Sequence, residues 1–236
     1  EEEQNEILVN VSADLNPENF ENEVTNKTLG SAKAIRTIQQ RNGEKGCNRS
    51  IISNCGSVQG VLEAYAFLGL TGWKNPSVDF IPLFETVPDL KVAHEVMETL
   101  YKHPVFSEHL KRRGNKQTIM LGFSDGTKDG GYFMANWSIY QAKEAMTAMS
   151  RKYGIDVAFF DGRGGPPARG GGNTHQFYAS QGPTIESKEI QLTIQGQTIS
   201  SNFGTLDSCQ YNLEQLLSSG ISNAVFTETG TELTGS

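Results

Sequence analysis

Long apolar runs are missing from this sequence: no stretch approaches the roughly 18 apolar residues that a membrane-spanning helix needs. Nor does a basic start followed by an apolar core suggest a signal peptide. Cysteine is scarce, with Cys47, Cys55 and Cys209 odd in number and without CxxC spacing, which argues against a disulfide framework or a zinc site and favours a reducing compartment. A cytoplasmic location is therefore expected. An excess of basic charge is also missing. The chain has 20 Lys and Arg against 27 Asp and Glu, and the imbalance is local, since residues 1–26 hold eight acids and no Lys or Arg. The rest is close to neutral, so nothing offers the basic face that a nucleic-acid partner requires. The sequence opens on Glu1-Glu2-Glu3 without Met, which suggests a segment of something longer.

What the chain does have is enough material for one sizeable core, with 236 residues and 36% hydrophobic content. Four apolar runs, Arg49 to Ser53, Val78 to Phe84, Thr118 to Phe123 and Asp156 to Phe160, alternate with helical patterns. Between the last two, Ala135, Ile139, Ala142, Met146 and Met149 step by four and three, the stripe of an amphipathic helix. Helices are also expected at Val58 to Leu68 and Asp89 to Arg112, the latter divided at Pro104. Strands apolar on both faces that alternate with helices predict parallel β/α units, an α/β fold. Two regions depart from that rhythm. Residues 1–30 are polar and aperiodic and are read as a loose lead-in to a single, incomplete domain over 31–236. Ile190 to Ile199 alternates with a Gly near its middle, which predicts a hairpin or bulged strand; Leu206 to Leu217 then reads as a helix.

In sheets of parallel β/α units, ligands bind outside the carboxyl ends of the strands, and four patches lie there. Glu85 ends the run Ile81-Pro82-Leu83-Phe84, where an acid often belongs to the cap of the next helix. Asp125 and Lys128 sit in the Gly-flanked stretch Gly122 to Gly131, which also reads as a capped turn. The third patch, Asp161 to Gly172, contains six glycines among the eleven residues 162–172 and two arginines, Arg163 and Arg169. Glycines admit an anion close to backbone N–H groups, and a guanidinium forks onto phosphate or carboxylate oxygens. No Gly-Lys-Ser/Thr follows, and Pro167 stands at the last glycine position of GxGxxG counted from Gly162, so neither ordinary nucleotide loop is present. A flexible linker would not need the arginines. The fourth patch is Gln195-Gly196. Glu85 and Asp125 together offer hard oxygen ligands to Mg²⁺, which takes few protein carboxylates and completes its shell with water and substrate oxygens.

Leu83-Phe84-Glu85-Thr86, Gly122-Phe123-Ser124-Asp125 with Lys128-Asp129, Gly162-Arg163-Gly164-Gly165 with Arg169-Gly170-Gly171-Gly172, and Gln195-Gly196 before Phe203-Gly204 follow this order and spacing in phosphoenolpyruvate carboxylases. Ser50-Ile51-Ile52-Ser53 and Ser57 to Leu62 also resemble the strand and helix preceding that family's metal ligand. The resemblance covers about residues 30–220. It implies part of a TIM-type barrel from a cytoplasmic, usually tetrameric enzyme that converts phosphoenolpyruvate and bicarbonate to oxaloacetate and phosphate with Mg²⁺ or Mn²⁺. By position, Glu85 and Asp125 resemble metal ligands and Lys128, Arg163 and Arg169 resemble catalytic anion-binding residues, with Gly162, Gly164, Gly165, Gly170 and Gln195 beside the substrate. The implied mechanism passes through carboxyphosphate and the enolate of pyruvate. Arg169 is also expected to contact an inhibitory dicarboxylate.

Two departures stand out. Asp161 occupies a position where the family usually has His; a carboxylate aimed at the site would repel phosphate, so Asp161 is expected to turn away and orient Arg163. The family's catalytic His and further arginines lie outside the matched region. Two other readings remain, another metal-dependent barrel acting on phosphoenolpyruvate, or a piece that holds metal and phosphate without turnover.

Overall fold

The computed structural model describes residues 13–163 and 171–225. Its α/β architecture is built on a five-stranded sheet in the order β1-β2-β3-β4-β5, with β1/β2 and β4/β5 pairing parallel. The strands are Arg49–Ile52, Asp79–Phe84, Lys116–Leu121, Asp156–Asp161 and Ile190–Leu192. The first four coincide with the four apolar runs. Among the described residues, no helix is long and apolar enough to cross a membrane.

The chain divides into two compact units. One comprises the residues up to Leu83 together with Glu95–Thr118; the other comprises Phe84–His94 and the residues from Ile119 onward. The first unit contains α1, Glu23–Asn42, which takes in residues read from sequence as loose lead-in. Its start is fixed by Asn22, whose side chain accepts the N–H of Thr25 at 3.0 Å. Helix α2, Val58–Gly69, buries Val61, Leu62, Tyr65 and Leu68. Helix α3, Val87–Lys102, is followed by α4, Pro104–Arg112. The division at Pro104 follows from its missing N–H, which suits the first helical turn.

The second unit contains the long helix α5, Phe123–Lys152, broken at Gly131, and then α6, Thr174–Ala179. The expected stripe of Ala135, Ile139, Ala142, Met146 and Met149 is buried along α5. The hairpin expected over residues 190–199 is not formed. Ile190–Leu192 pairs parallel with β4, the chain turns at Gly196 with φ +60°, and α7, Gln197–Phe203, follows. The alternating pattern therefore ends in one more β/α unit, because the left-handed turn that Gly196 permits redirects the backbone into a helix. Helix α8, Leu206–Val225, covers the expected terminal helix.

A buried histidine gives the first unit a pH-dependent weakness. His109 is 1% exposed and lies 5.3–5.9 Å, centroid to centroid, from the rings of Phe80, Tyr65 and Phe106. Burial, aided by Arg112 and Arg113, lowers its pKa from 6.5 to about 4, so the folded protein keeps it neutral where an unfolded chain would bind a proton. The resulting stability is complete above pH 6.5, is lost as pH falls from there toward about 4, and amounts to roughly 3 kcal/mol at 1.36 kcal/mol per unit. Urea denaturation across that window is expected to show this loss, and His109→Phe should flatten it; an unchanged slope in the variant would contradict the assignment.

Candidate active site

Helix α3 begins with a reciprocal cap: the N–H of Thr86 donates to Asp89 Oδ2 at 3.1 Å, and the N–H of Asp89 donates to Thr86 Oγ1 at 3.3 Å. Asp129 accepts the N–H of Val87 at 3.0 Å. These groups perform the capping that a strand-end acid often performs, so the helix start does not require Glu85 as its cap. Glu85 is half-buried, immediately beyond β2. Asp125 lies in the first turn of α5 and is exposed, and its carboxylate accepts from Lys128 Nζ at 3.0 Å. An exposed pair of this kind is worth at most about 1 kcal/mol and opens readily to a stronger ligand.

Glycine brings the two acid-bearing segments together. A Cβ on Gly122 would lie 3.0 Å from Glu85 Cα and 3.2 Å from its Cγ, and one on Gly126 would lie 3.4 Å from the Glu85 carbonyl. The donor set fits a hard divalent cation: two carboxylates on segments in van der Waals contact leave most of the shell to water and substrate oxygens, as Mg²⁺ prefers. Among the described residues no group of three or more His, Cys, Asp or Glu could hold a metal ion.

At the end of β4 the chemistry is buried. Asp161 and Lys143 are each 1% exposed. Lys143 Nζ lies 2.8 Å from both carboxylate oxygens, and Tyr178 Oη donates to Oδ2 at 2.8 Å. The expectation that Asp161 orients Arg163 is corrected on its partner: the carboxylate is held by Lys143 and Tyr178. Sequence reasoning missed both. A signal for Lys143 exists, since it is four residues after Ile139 and three before Met146, on the core face of α5. Burial lowers the Lys143 pKa against the pull of Asp161. Burial and the Asp161 charge push the Tyr178 phenol far above its usual value, so it remains a donor.

Arg163 is 4% exposed, with its guanidinium carbon 3.9 Å from the Phe177 ring centroid and 5.7 Å from that of Phe123. Stacking on an aromatic face offsets part of the cost of burying the charge. Burial pulls its pKa below the usual arginine value, opposed by Tyr178, Asp161 and Tyr132, and the group stays cationic. Its Nε and Nη1 have no hydrogen-bond partner among the described residues. Arg163 lines a cavity of about 310 Å³ with Thr174, Leu192, Ile194, Asn202 and Leu216.

The other predicted positions divide sharply. Gly162 donates its N–H to the Leu121 carbonyl at 3.0 Å, and a Cβ there would lie 2.9 Å from that oxygen; this glycine is required by the packing of β4 on β3. Gln195 is exposed one residue before Gly196. Gly164, Gly165, Arg169 and Gly170 lie outside the described residues.

Comparison with known proteins agrees with the resemblance seen in the motifs. The family model for phosphoenolpyruvate carboxylase matches residues 1–233. The phosphoenolpyruvate carboxylase of Corynebacterium diphtheriae is 35% identical over 193 residues, which is 82% of this chain and 21% of that protein. The chain thus spans about a fifth of the length of this curated relative.

The packing of Gly162 is directly testable. Gly162→Ala must push backbone apart and is expected to destabilise the protein by roughly 1–3 kcal/mol in urea denaturation. Gly60→Ala, in a helix with nothing within 4 Å of the new Cβ, should be neutral or stabilising by up to about 1 kcal/mol. Equal effects would contradict the close approach.

Proposed function

The chain belongs to the phosphoenolpyruvate carboxylase family, and we propose that it supplies part of the site where such an enzyme joins bicarbonate to phosphoenolpyruvate, releasing oxaloacetate and phosphate. The observation that carries this reading is Arg163, a buried cation that lines a cavity and whose Nε and Nη1 have no hydrogen-bond partner among the described residues. A guanidinium in a low-dielectric site binds phosphate or carboxylate oxygens more strongly than one in water. With Lys143 and Asp161 neutralising each other, the positive charge of Arg163 remains for a ligand.

In this reading Arg163 orients the phosphoryl or carboxylate end of the substrate, and the stacked Phe177 keeps its plane fixed. Glu85 and Asp125 hold Mg²⁺ or Mn²⁺. When bound, the metal supplies Lewis-acid polarisation of a substrate oxygen. Lys128, released from Asp125, adds positive charge beside the phosphoryl group, where charge accumulates during transfer. The apolar wall of Leu192, Ile194 and Leu216 excludes water from one side. Arg169, Gly164, Gly165, Gly170 and Gln195 are proposed on the resemblance alone to complete the anion cradle, with Arg169 also meeting an inhibitory dicarboxylate.

Strand order supports an arc of a β/α barrel, since the five strands follow one another without the reversal of a doubly wound sheet. The longer enzyme is proposed to be a cytoplasmic homotetramer. For the 236-residue chain alone, the half-shell of two carboxylates and one buried arginine favours binding without turnover.

Calorimetric titration of phosphoenolpyruvate with and without Mg²⁺ tests the reading. Binding is expected to strengthen with metal. Arg163→Ala should weaken it at least about tenfold, the loss of one charge-assisted hydrogen-bonding group. Glu85→Gln should remove the metal dependence while leaving metal-free binding in place. Wild-type affinity in Arg163→Ala would overturn the proposal.

A further inference from the structure

Among the described residues, the Asp161 charge at the buried end of β4 acts on two cations, Lys143 and Arg163. Asp161 and Arg163 are two residues apart, and the Asp161 charge acts on Arg163. The same Phe177 ring lies 3.9 Å from the Arg163 guanidinium carbon and 5.2 Å from Lys143 Nζ, measured to the centroid. Yet Asp161 is bound by Lys143 and Tyr178, while Nε and Nη1 of Arg163 have no hydrogen-bond partner among the described residues. Asp161 Oδ1 has Lys143 Nζ at 2.8 Å but no aligned hydrogen bond, so losing Lys143 would strip that oxygen of its compensation.

We propose that Lys143 is a positioning residue: by occupying the Asp161 carboxylate it prevents Arg163 from folding onto that carboxylate, and so keeps the guanidinium open to an anionic ligand. Lys143 is 1% exposed and lies beneath the rings of Phe159, Phe177 and Tyr178, so it acts through Asp161 and touches no ligand itself. A buried carboxylate stripped of its cation is strongly unfavourable and recruits the nearest positive group. Arg163 is a second cation on which the Asp161 charge acts, and its capture would close the anion site from within. The inference rests on the reading of Arg163 as the anion-binding residue, but its electrostatic core can be tested separately.

The test compares the wild-type chain with Lys143→Met, Asp161→Asn and the double variant. Inorganic phosphate is the probe, and the Arg163 Nε–Hε signal is followed by NMR. Lys143→Met is expected to bind phosphate roughly thirtyfold more weakly, about 2 kcal/mol at 1.4 kcal/mol per decade. Its Arg163 Nε–Hε signal should move to the position of a carboxylate-bound guanidinium. Asp161→Asn should leave the Arg163 signal in its stacked, unpaired position. The double variant removes both the carboxylate and its cation; it should return phosphate affinity to within about threefold of wild type, the non-additivity expected of coupled neighbours. A merely structural pair would give no such rescue. An Arg163 signal unchanged in Lys143→Met, or a double variant as weak as Lys143→Met, would overturn the proposal. Equal phosphate binding by wild type and Arg163→Ala would instead sink the anion-site reading, and the NMR comparison would still decide the role of Lys143.

Discussion

Lys143 Nζ and the Asp161 carboxylate meet at 2.8 Å with both side chains 1% exposed, and the surroundings of β4 are organised by the need to keep that pair satisfied. An ion pair gains little over apolar packing when buried, because both ions lose their hydration, but it penalises any arrangement in which one partner is missing. Tyr178 supplies the further hydrogen bond, and the rings of Phe159, Phe177 and Tyr178 face the ammonium. The same ring of Phe177 then carries Arg163. One charge is cancelled and the other is left over, held flat and dry.

Close backbone approach sets the rest. Gly162 lets β4 leave the sheet against the Leu121 carbonyl, and Gly122 lets the start of α5 lie against Glu85. Gly162 belongs to the stretch read from sequence as a phosphate cradle, and its own N–H is donated to the Leu121 carbonyl. The carboxylates and the arginine gain their positions from these contacts, and a bound anion would find its donors in the arginine side chain.

The four main strands were legible because their apolar runs are bounded by turns, and the division at Pro104 because proline constrains the backbone in a known way. The alternation in Ile190 to Ile199 misled, since a period of two describes a strand only until a left-handed residue interrupts it, and Gly196 does so. Helix α1 escaped notice because it is mostly polar and buries only Leu29 and Ala32. Glu85, Asp125 and Arg163 stood out in the sequence as residue types at strand ends. The partner of Asp161 was not, because a lysine among apolar helix positions reads as an exposed exception until the carboxylate opposite it is known.

The proposed function requires Glu85, Asp125 and Arg163 to serve one ligand. The most direct measurement is a crystal structure with Mn²⁺ and a non-reacting phosphoenolpyruvate analogue, located by anomalous scattering. Manganese is expected between Glu85 and Asp125, with the analogue's anionic oxygens on Arg163 Nε and Nη1. Manganese bound elsewhere, or an analogue held away from Arg163, would contradict it.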